Sequence, residues 1–141
     1  LTTHSLKTNL HLAMSLSKYK DFIGIDYERP HGCFKLVAQV FKEVYGIDLG
    51  KPEEGLDEDA ESRDKTAVVR KSLAEKSVEV SEPQEGDVVI IRSRPWHIGL
   101  IIGDGLMLHN YSRSSNSCIE EYNSMRWKDR IEGFYRYKGF Q

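Results

Sequence analysis

Three side chains in this sequence have the residue types needed for thiol chemistry: Cys33, His97 and His109. Cys33 lies in the stretch Arg29-Pro-His-Gly-Cys-Phe-Lys-Leu-Val-Ala-Gln-Val-Phe-Lys-Glu-Val-Tyr-Gly46. From Cys33 onward, Leu36, Val37, Val40, Phe41 and Val44 recur at helical spacing, and Lys35, Gln39, Lys42 and Glu43 fill the other face. Pro30 and Gly32 predict a turn just before Cys33, and Gly46 a stop after the helix. The thiol therefore falls at a helix N-terminus, where unpaired N–H groups and the helix dipole favour thiolate. The competing reading is a buried core residue in the first turn, since free cysteine packs as a small hydrophobe.

The two histidines fall on adjacent predicted strands. His97 opens the apolar run His97-Ile-Gly-Leu-Ile-Ile102, and His109 closes Leu106-Met-Leu-His-Asn110 after the tight-turn signal Gly103-Asp-Gly105. A turn centred near Asp104 predicts positions 97 and 109 roughly opposite each other, within about a residue. One imidazole can then act as general base to a thiol while the other orients it and fixes its tautomer. Alternatively, each is a half-exposed strand residue with a satisfied polar tip. His31 is close to Cys33 in sequence, but two residues apart on a turn is poor geometry for a base. Lys35 either favours thiolate by its charge or is solvated. Cys118 reads as structural. A zinc set drawn from Cys33, His97, His109 and Cys118 has suitable ligand types but no close-spaced pair.

The elements that must position these residues follow in order. A weak helical pattern runs from about Leu6 to Tyr19, then residues 21–32 form a loop feeding the cysteine helix. The segment 48–61 is acidic and reads as a solvated loop rather than a calcium site. A second amphipathic helix is predicted over about Asp59 to Lys76. At Ser81-Glu-Pro-Gln-Glu-Gly-Asp87 the pattern changes to turns and short β-branched runs. Val88–Ile91, His97–Ile102, Leu106–Asn110, Ile119–Tyr122 and Gly133–Tyr137 are the predicted strands. Helices first and a meandering antiparallel sheet second make an α+β fold, with residues 1–141 as a single domain.

The 141 residues suit one core, with 39% hydrophobic and 30% charged residues. A net charge of −2 gives no global reason to expect nucleic-acid binding. The basic and aromatic residues of the C-terminal segment, among them Arg126, Arg130, Arg136, Trp127 and Tyr135, read better as a strand with alternating faces. Apolar runs are too short to span a membrane, and the first residues lack a signal-peptide pattern. The chain opens on Leu1 rather than Met, as a processed product or a fragment would. Two cysteines are no disulfide framework, although they could pair.

In order and over about residues 19–138, these motifs resemble the NlpC-type cell-wall cysteine peptidases, which have a compact papain-like fold. The residues that carry the resemblance are Ile23-Gly-Ile-Asp-Tyr27, Cys33, Gly86-Asp-Val-Val-Ile90, His97-Ile-Gly-Leu-Ile101, Gly103-Asp-Gly105 and His109. The resemblance implies Cys33 as nucleophile, His97 as base, His109 as the orienting third residue and Tyr27 as a substrate-binding loop tyrosine. It implies amide hydrolysis through a thioester, with the peptidoglycan stem peptide as substrate, cut between D-glutamate and the diamino acid. No metal or cofactor is implied. The ending Arg126-Trp-Lys-Asp-Arg-Ile-Glu-Gly-Phe-Tyr-Arg-Tyr137 resembles the branch found in tail-tip proteins of long-tailed bacteriophages. That branch implies other tail-tip proteins as partners. It also implies a place in the virion tail tip acting in the bacterial cell wall or periplasm, or alternatively in the host cytoplasm during assembly. Gly32 stands where the family usually has Asp, and Phe34-Lys35 replace its usual small residues after the cysteine. A catalytically silent tail-assembly subunit of the same fold is therefore the competing reading, and another thiol chemistry such as acyl transfer is a third.

Overall fold

The computed structural model describes residues 13–14, 16–29, 31–50, 75–93, 97–111 and 116–140. The helix carrying the cysteine, α1, spans Gly32–Val40 and widens into a π-type turn over Phe41–Tyr45. Gly46 ends it at φ 69°, a left-handed conformation that costs glycine little. Six strands follow: β1 (Ser77–Val80), β2 (Val88–Ile91), β3 (His97–Gly103), β4 (Leu106–His109), β5 (Cys118–Glu121) and β6 (Ile131–Tyr137). They form one antiparallel sheet in the order β1-β6-β2-β3-β4-β5. The fold is α+β, as the sequence pattern predicts. Strands β2 to β5 meander, while β6 returns beside β2 and brings β1 to the edge.

The alternation of side chains gives the sheet two packed faces. On one face, Val88, Ile90, Ile98, Leu100, Ile102 and Leu108 meet Cys33, Leu36, Val37, Val40 and Phe41 of the α1 region. Burying each of the larger aliphatic side chains contributes about 1.5–3 kcal/mol relative to leaving it in water. On the other face, Val89, Ile91, Ile101 and Met107 pack with Tyr111, Tyr122 and Trp127. Strand β2 lies between β3 and β6 with both faces covered, which is why its four residues are all apolar and buried.

Two polar ties set the frame. The buried Asp87 carboxylate accepts from Arg136 Nε at 3.0 Å and Nη2 at 2.9 Å, and from the Gln84 backbone N–H at 2.8 Å. This bidentate pair joins the start of β2 to β6. The hydroxyl of Tyr19 bonds to that of Tyr45 and donates to Glu85 at 2.8 Å, fixing the N-terminal helical residues to the end of the α1 region.

Strand β1 was not anticipated from the pattern. It is four residues long, Ser-Val-Glu-Val, and lies between a predicted helix and a turn, too short to register its own period. The helix predicted over Asp59 to Lys76 lies outside the described residues except for Glu75 and Lys76, which are helical. Residues 51–61 of the acidic segment also lie outside them, as do residues 6–12 and 15 of the helix expected over Leu6 to Tyr19, whose described residues are helical. Among the described residues, no helix is long and apolar enough to cross a membrane.

Candidate active site

The loop before α1 is fastened to the end of the sheet that carries the histidines. Gly24 N–H donates to Ser117 O at 2.9 Å, and Ser117 N–H returns to Ile25 O at 2.8 Å. Ser117 Oγ accepts from Ile25 N–H at 2.8 Å and donates to Phe22 O at 2.6 Å. Asn110, the residue after His109, donates from Nδ2 to the carbonyls of Ile25 and Asp26 at 3.2 and 3.4 Å. A single bridge between Asp26 and Asn116 completes the seam. The backbone that leads into Cys33 is therefore held against the His109 end of β4.

Cys33 lies in the first turn of α1, 2% exposed. The helix start falls where the pattern predicts, and the burial is that of the competing core reading. His31 takes the N-cap in a left-handed conformation, φ 61°, which is uncommon for a side chain with a Cβ. Tyr27 packs its ring against Gly32: a Cβ built there would meet Tyr27 Cδ2 at 2.8 Å. The glycine in place of the expected aspartate thus has a steric cause, because the tyrosine occupies the space. Lys35 reaches Glu28 at 3.6 Å on the surface, which fits the solvated reading of its charge. Cys33 and Cys118 are both free thiols.

His97 and His109 are brought together, with His97 Nε2 and His109 Nδ1 2.6 Å apart and the rings 65° to each other. The register differs from the expected one: Gly99, not His97, lies opposite His109. A turn centred on Asp104 produces this pairing and leaves the two rings diagonal across the strands. They meet because Gly99 has no side chain. A Cβ there would lie 3.2 Å from Val89 Cγ1 and 3.3 Å from His109 Cβ.

A residue the sequence reading passed over completes the chain. Glu120 on β5 accepts from His109 Nε2 at 3.0 Å through Oε1, and from Trp127 Nε1 at 2.9 Å through Oε2. Arg126 Nη1 lies 3.2 Å from Oε1 and 3.3 Å from Oε2. Burial pushes the Glu120 carboxyl up, but the Trp127 hydrogen bond, His109 and Arg126 together hold it below its ordinary value. As an ionised carboxylate, Glu120 can only accept, so His109 carries its proton on Nε2. His109 Nδ1 must then accept from His97 Nε2–H, which leaves His97 Nδ1 as the lone-pair nitrogen. The available signal was the period of β5, where Cys118 and Glu120 share a face while Ile119 points the other way.

Trp127 covers the pair. It is fully buried, stacks on His97 at 5.8 Å and 26°, and presents its edge geometry to His109 at 5.4 Å. Arg126 and Arg130 lie over its ring at 4.5 and 4.8 Å, worth about 0.5–2 kcal/mol each as cation–π contacts. Burial lowers His97 well below the ordinary imidazole value, and His109, Arg130 and Arg126 add to this. Burial also lowers His109, against the pull of Glu120. Both rings are thus held neutral, the form a general base requires.

A six-stranded antiparallel sheet with the cysteine helix packed on one face is an α+β fold, and it carries a thiol in the first turn of that helix and a buried imidazole pair on β3 and β4. The sequence matches the NlpC/P60 family over residues 23–136, and the chain belongs to that family. Among the solved structures that share the fold are two NlpC/P60 proteins. One is a protein similar to lipoprotein, of the NLP/P60 family, from Staphylococcus aureus, 17% identical, with a TM-score of 0.57 over 90% of this chain. The other is the NlpC/P60 domain of the peptidoglycan hydrolase SagA, 16% identical, with a TM-score of 0.53 over 88% of this chain. The match spans 41% of the staphylococcal chain and 96% of the SagA domain. Comparison with curated proteins finds no match.

Proposed function

We propose that this chain is a peptidoglycan endopeptidase with Cys33 as nucleophile, His97 as general base and His109 as the residue that orients it. The observation that carries this reading is the hydrogen-bonded line Glu120–His109–His97, which leaves His97 Nδ1 as the basic nitrogen. His97 Nδ1 takes the Cys33 thiol proton as the sulfur attacks the substrate carbonyl. The oxyanion is held by the Cys33 backbone N–H at the helix start, and Tyr27 lines the approach. Collapse expels the amine, which takes the proton from His97, and leaves a thioester. Water then attacks the thioester, His97 again accepts the proton, and the acid leaves as the thiol re-forms. The substrate class is supported by family membership and by the hydrolase named for the SagA domain. The bond proposed is that between D-glutamate and the diamino acid of the stem peptide.

The C-terminal resemblance over Arg126 to Tyr137 supports a place among phage tail-tip proteins, acting on the host cell wall during entry. The decisive experiment measures new amino groups released from purified peptidoglycan by the wild type, Cys33→Ala and His97→Ala. Cleavage by the wild type alone is the expected result, and mass analysis of the fragments identifies the bond. Absence of cleavage by all three under reducing conditions would leave a non-catalytic tail subunit.

A further inference from the structure

Cys118, which has no role above, joins His109 and Glu120 in a cluster of three ligand types on adjacent strands: His109 at the end of β4, with Cys118 and Glu120 on β5. Their donor atoms form a compact triangle. His109 Nε2 to Glu120 Oε1 is 3.0 Å, Glu120 Oε1 to Cys118 Sγ is 3.6 Å, and Cys118 Sγ to His109 Nε2 is 3.8 Å. A tetrahedral zinc ion with bonds of about 2.0–2.1 Å to nitrogen and oxygen and about 2.3 Å to sulfur sets its ligands about 3.3–3.6 Å apart. The triangle is close to one face of that tetrahedron before any movement. Its members come from paired strands, His109 directly opposite Cys118, so the backbone holds the spacing.

We propose that His109, Cys118 and Glu120 form a binding site for a zinc-class divalent cation, and that the bound ion switches the hydrolase off. The nitrogen–sulfur–oxygen set favours zinc over magnesium or calcium, which take oxygen ligands. One thiolate and one carboxylate neutralise a dication, and the Arg126 guanidinium, 3.2 Å from Glu120 Oε1, gives up that oxygen as the ion binds. The cation enters from the side of Cys118 and Glu120, which are only partly buried, while His109 forms the closed wall. The outer contacts are in place: Trp127 holds Glu120 Oε2, and His97 meets the far nitrogen of His109.

The switch follows from proton placement and rests on the hydrolase reading. Without the ion, His109 carries its proton on Nε2 and accepts from His97 at Nδ1. A cation on Nε2 moves that proton to Nδ1, which must then donate to His97 Nε2. His97 in turn holds its proton on Nδ1, the nitrogen meant to receive the thiol proton. Each ring keeps one proton, Cys118 releases one to solvent, and the base is occupied.

The test uses cobalt(II) and zinc(II) with the full chain, Cys33→Ala and Cys118→Ser, in a phosphine reductant. Cys33→Ala should bind one cobalt with a thiolate-to-metal charge-transfer band and release one proton per ion. Cys118→Ser should lose that band and, unlike the wild type, keep its hydrolysis rate when zinc is added. A band that survives in Cys118→Ser and disappears in Cys33→Ala would place the metal on the other thiol and overturn the proposal. No band in either variant would overturn it as well. If the wild type proves inactive, the cobalt spectra still decide the site, so failure of the hydrolase reading is distinguishable from failure of the metal site.

Discussion

Glu120 meets His109 at the ring nitrogen opposite the one that meets His97. A carboxylate at that end of the line fixes the direction of both hydrogen bonds, because it has no proton to give. Two facing imidazoles alone can exchange donor and acceptor. With Glu120 in place they have one arrangement, and the basic nitrogen belongs to His97. Replacing Glu120 with Gln should therefore lower kcat by about 100-fold while leaving KM nearly unchanged, because the amide can donate as well as accept. Steady-state kinetics on a soluble stem peptide measures this split. Equal rates for Glu120→Gln and the wild type would remove Glu120 from the site.

Gly99 makes the imidazole contact possible. Gly99→Val adds atoms where a single Cβ already stands 3.2–3.4 Å from Val89, His109 and Met107. The expected cost is about 1–3 kcal/mol of stability from overpacking, together with loss of hydrolysis as the rings are pushed apart. Denaturant midpoints and activity, measured side by side, check both effects.

Arg136 should be required for stability rather than chemistry. Its guanidinium is the paired cation of the fully buried Asp87, and Arg136→Met would leave that carboxylate without its ionic partner. A loss of about 3–5 kcal/mol is expected, readable as a lower denaturation midpoint. An Asp87→Asn, Arg136→Met double variant should recover part of it.

The buried pair also sets a pH dependence. As the pH falls through the ordinary imidazole value of 6.5, histidines in the unfolded chain take up protons, while His97 and His109 in the folded chain resist. The unfolded state then binds more protons, so stability falls with falling pH until the folded rings protonate and the loss levels off. Thermal or chemical denaturation between about pH 8 and about pH 5 should show this decline, and His109→Asn should flatten it. A profile equally steep in the variant would contradict the assignment.

Most of the fold was legible because its signals are local. The heptad-like spacing after Cys33, the β-branched runs of β2 and β3 and the Asp104-Gly105 turn each announce their element within a few residues. The identity of the histidine pair was legible for the same reason. Its register was not, since two residues of offset on a strand leave the faces unchanged and the apolar pattern equally satisfied. Glu120 and Trp127 were hidden for a different reason. Their approach to His109 and His97 depends on the pairing of β5 with β4 and on the turn after β5, and neither has a sequence period. Strand β1 depends on pairing with β6 more than fifty residues later, which no local window contains.

The stacking of Trp127 on His97 has an optical consequence. An excited indole readily gives an electron to a charged imidazole, whereas a neutral one quenches it far less. The chain has two tryptophans, so Trp96→Phe leaves Trp127 as the single indole emitter. Its fluorescence then reports the charge on the imidazole pair, and a titration of emission against pH follows the protonation of His97 and His109 in the folded protein.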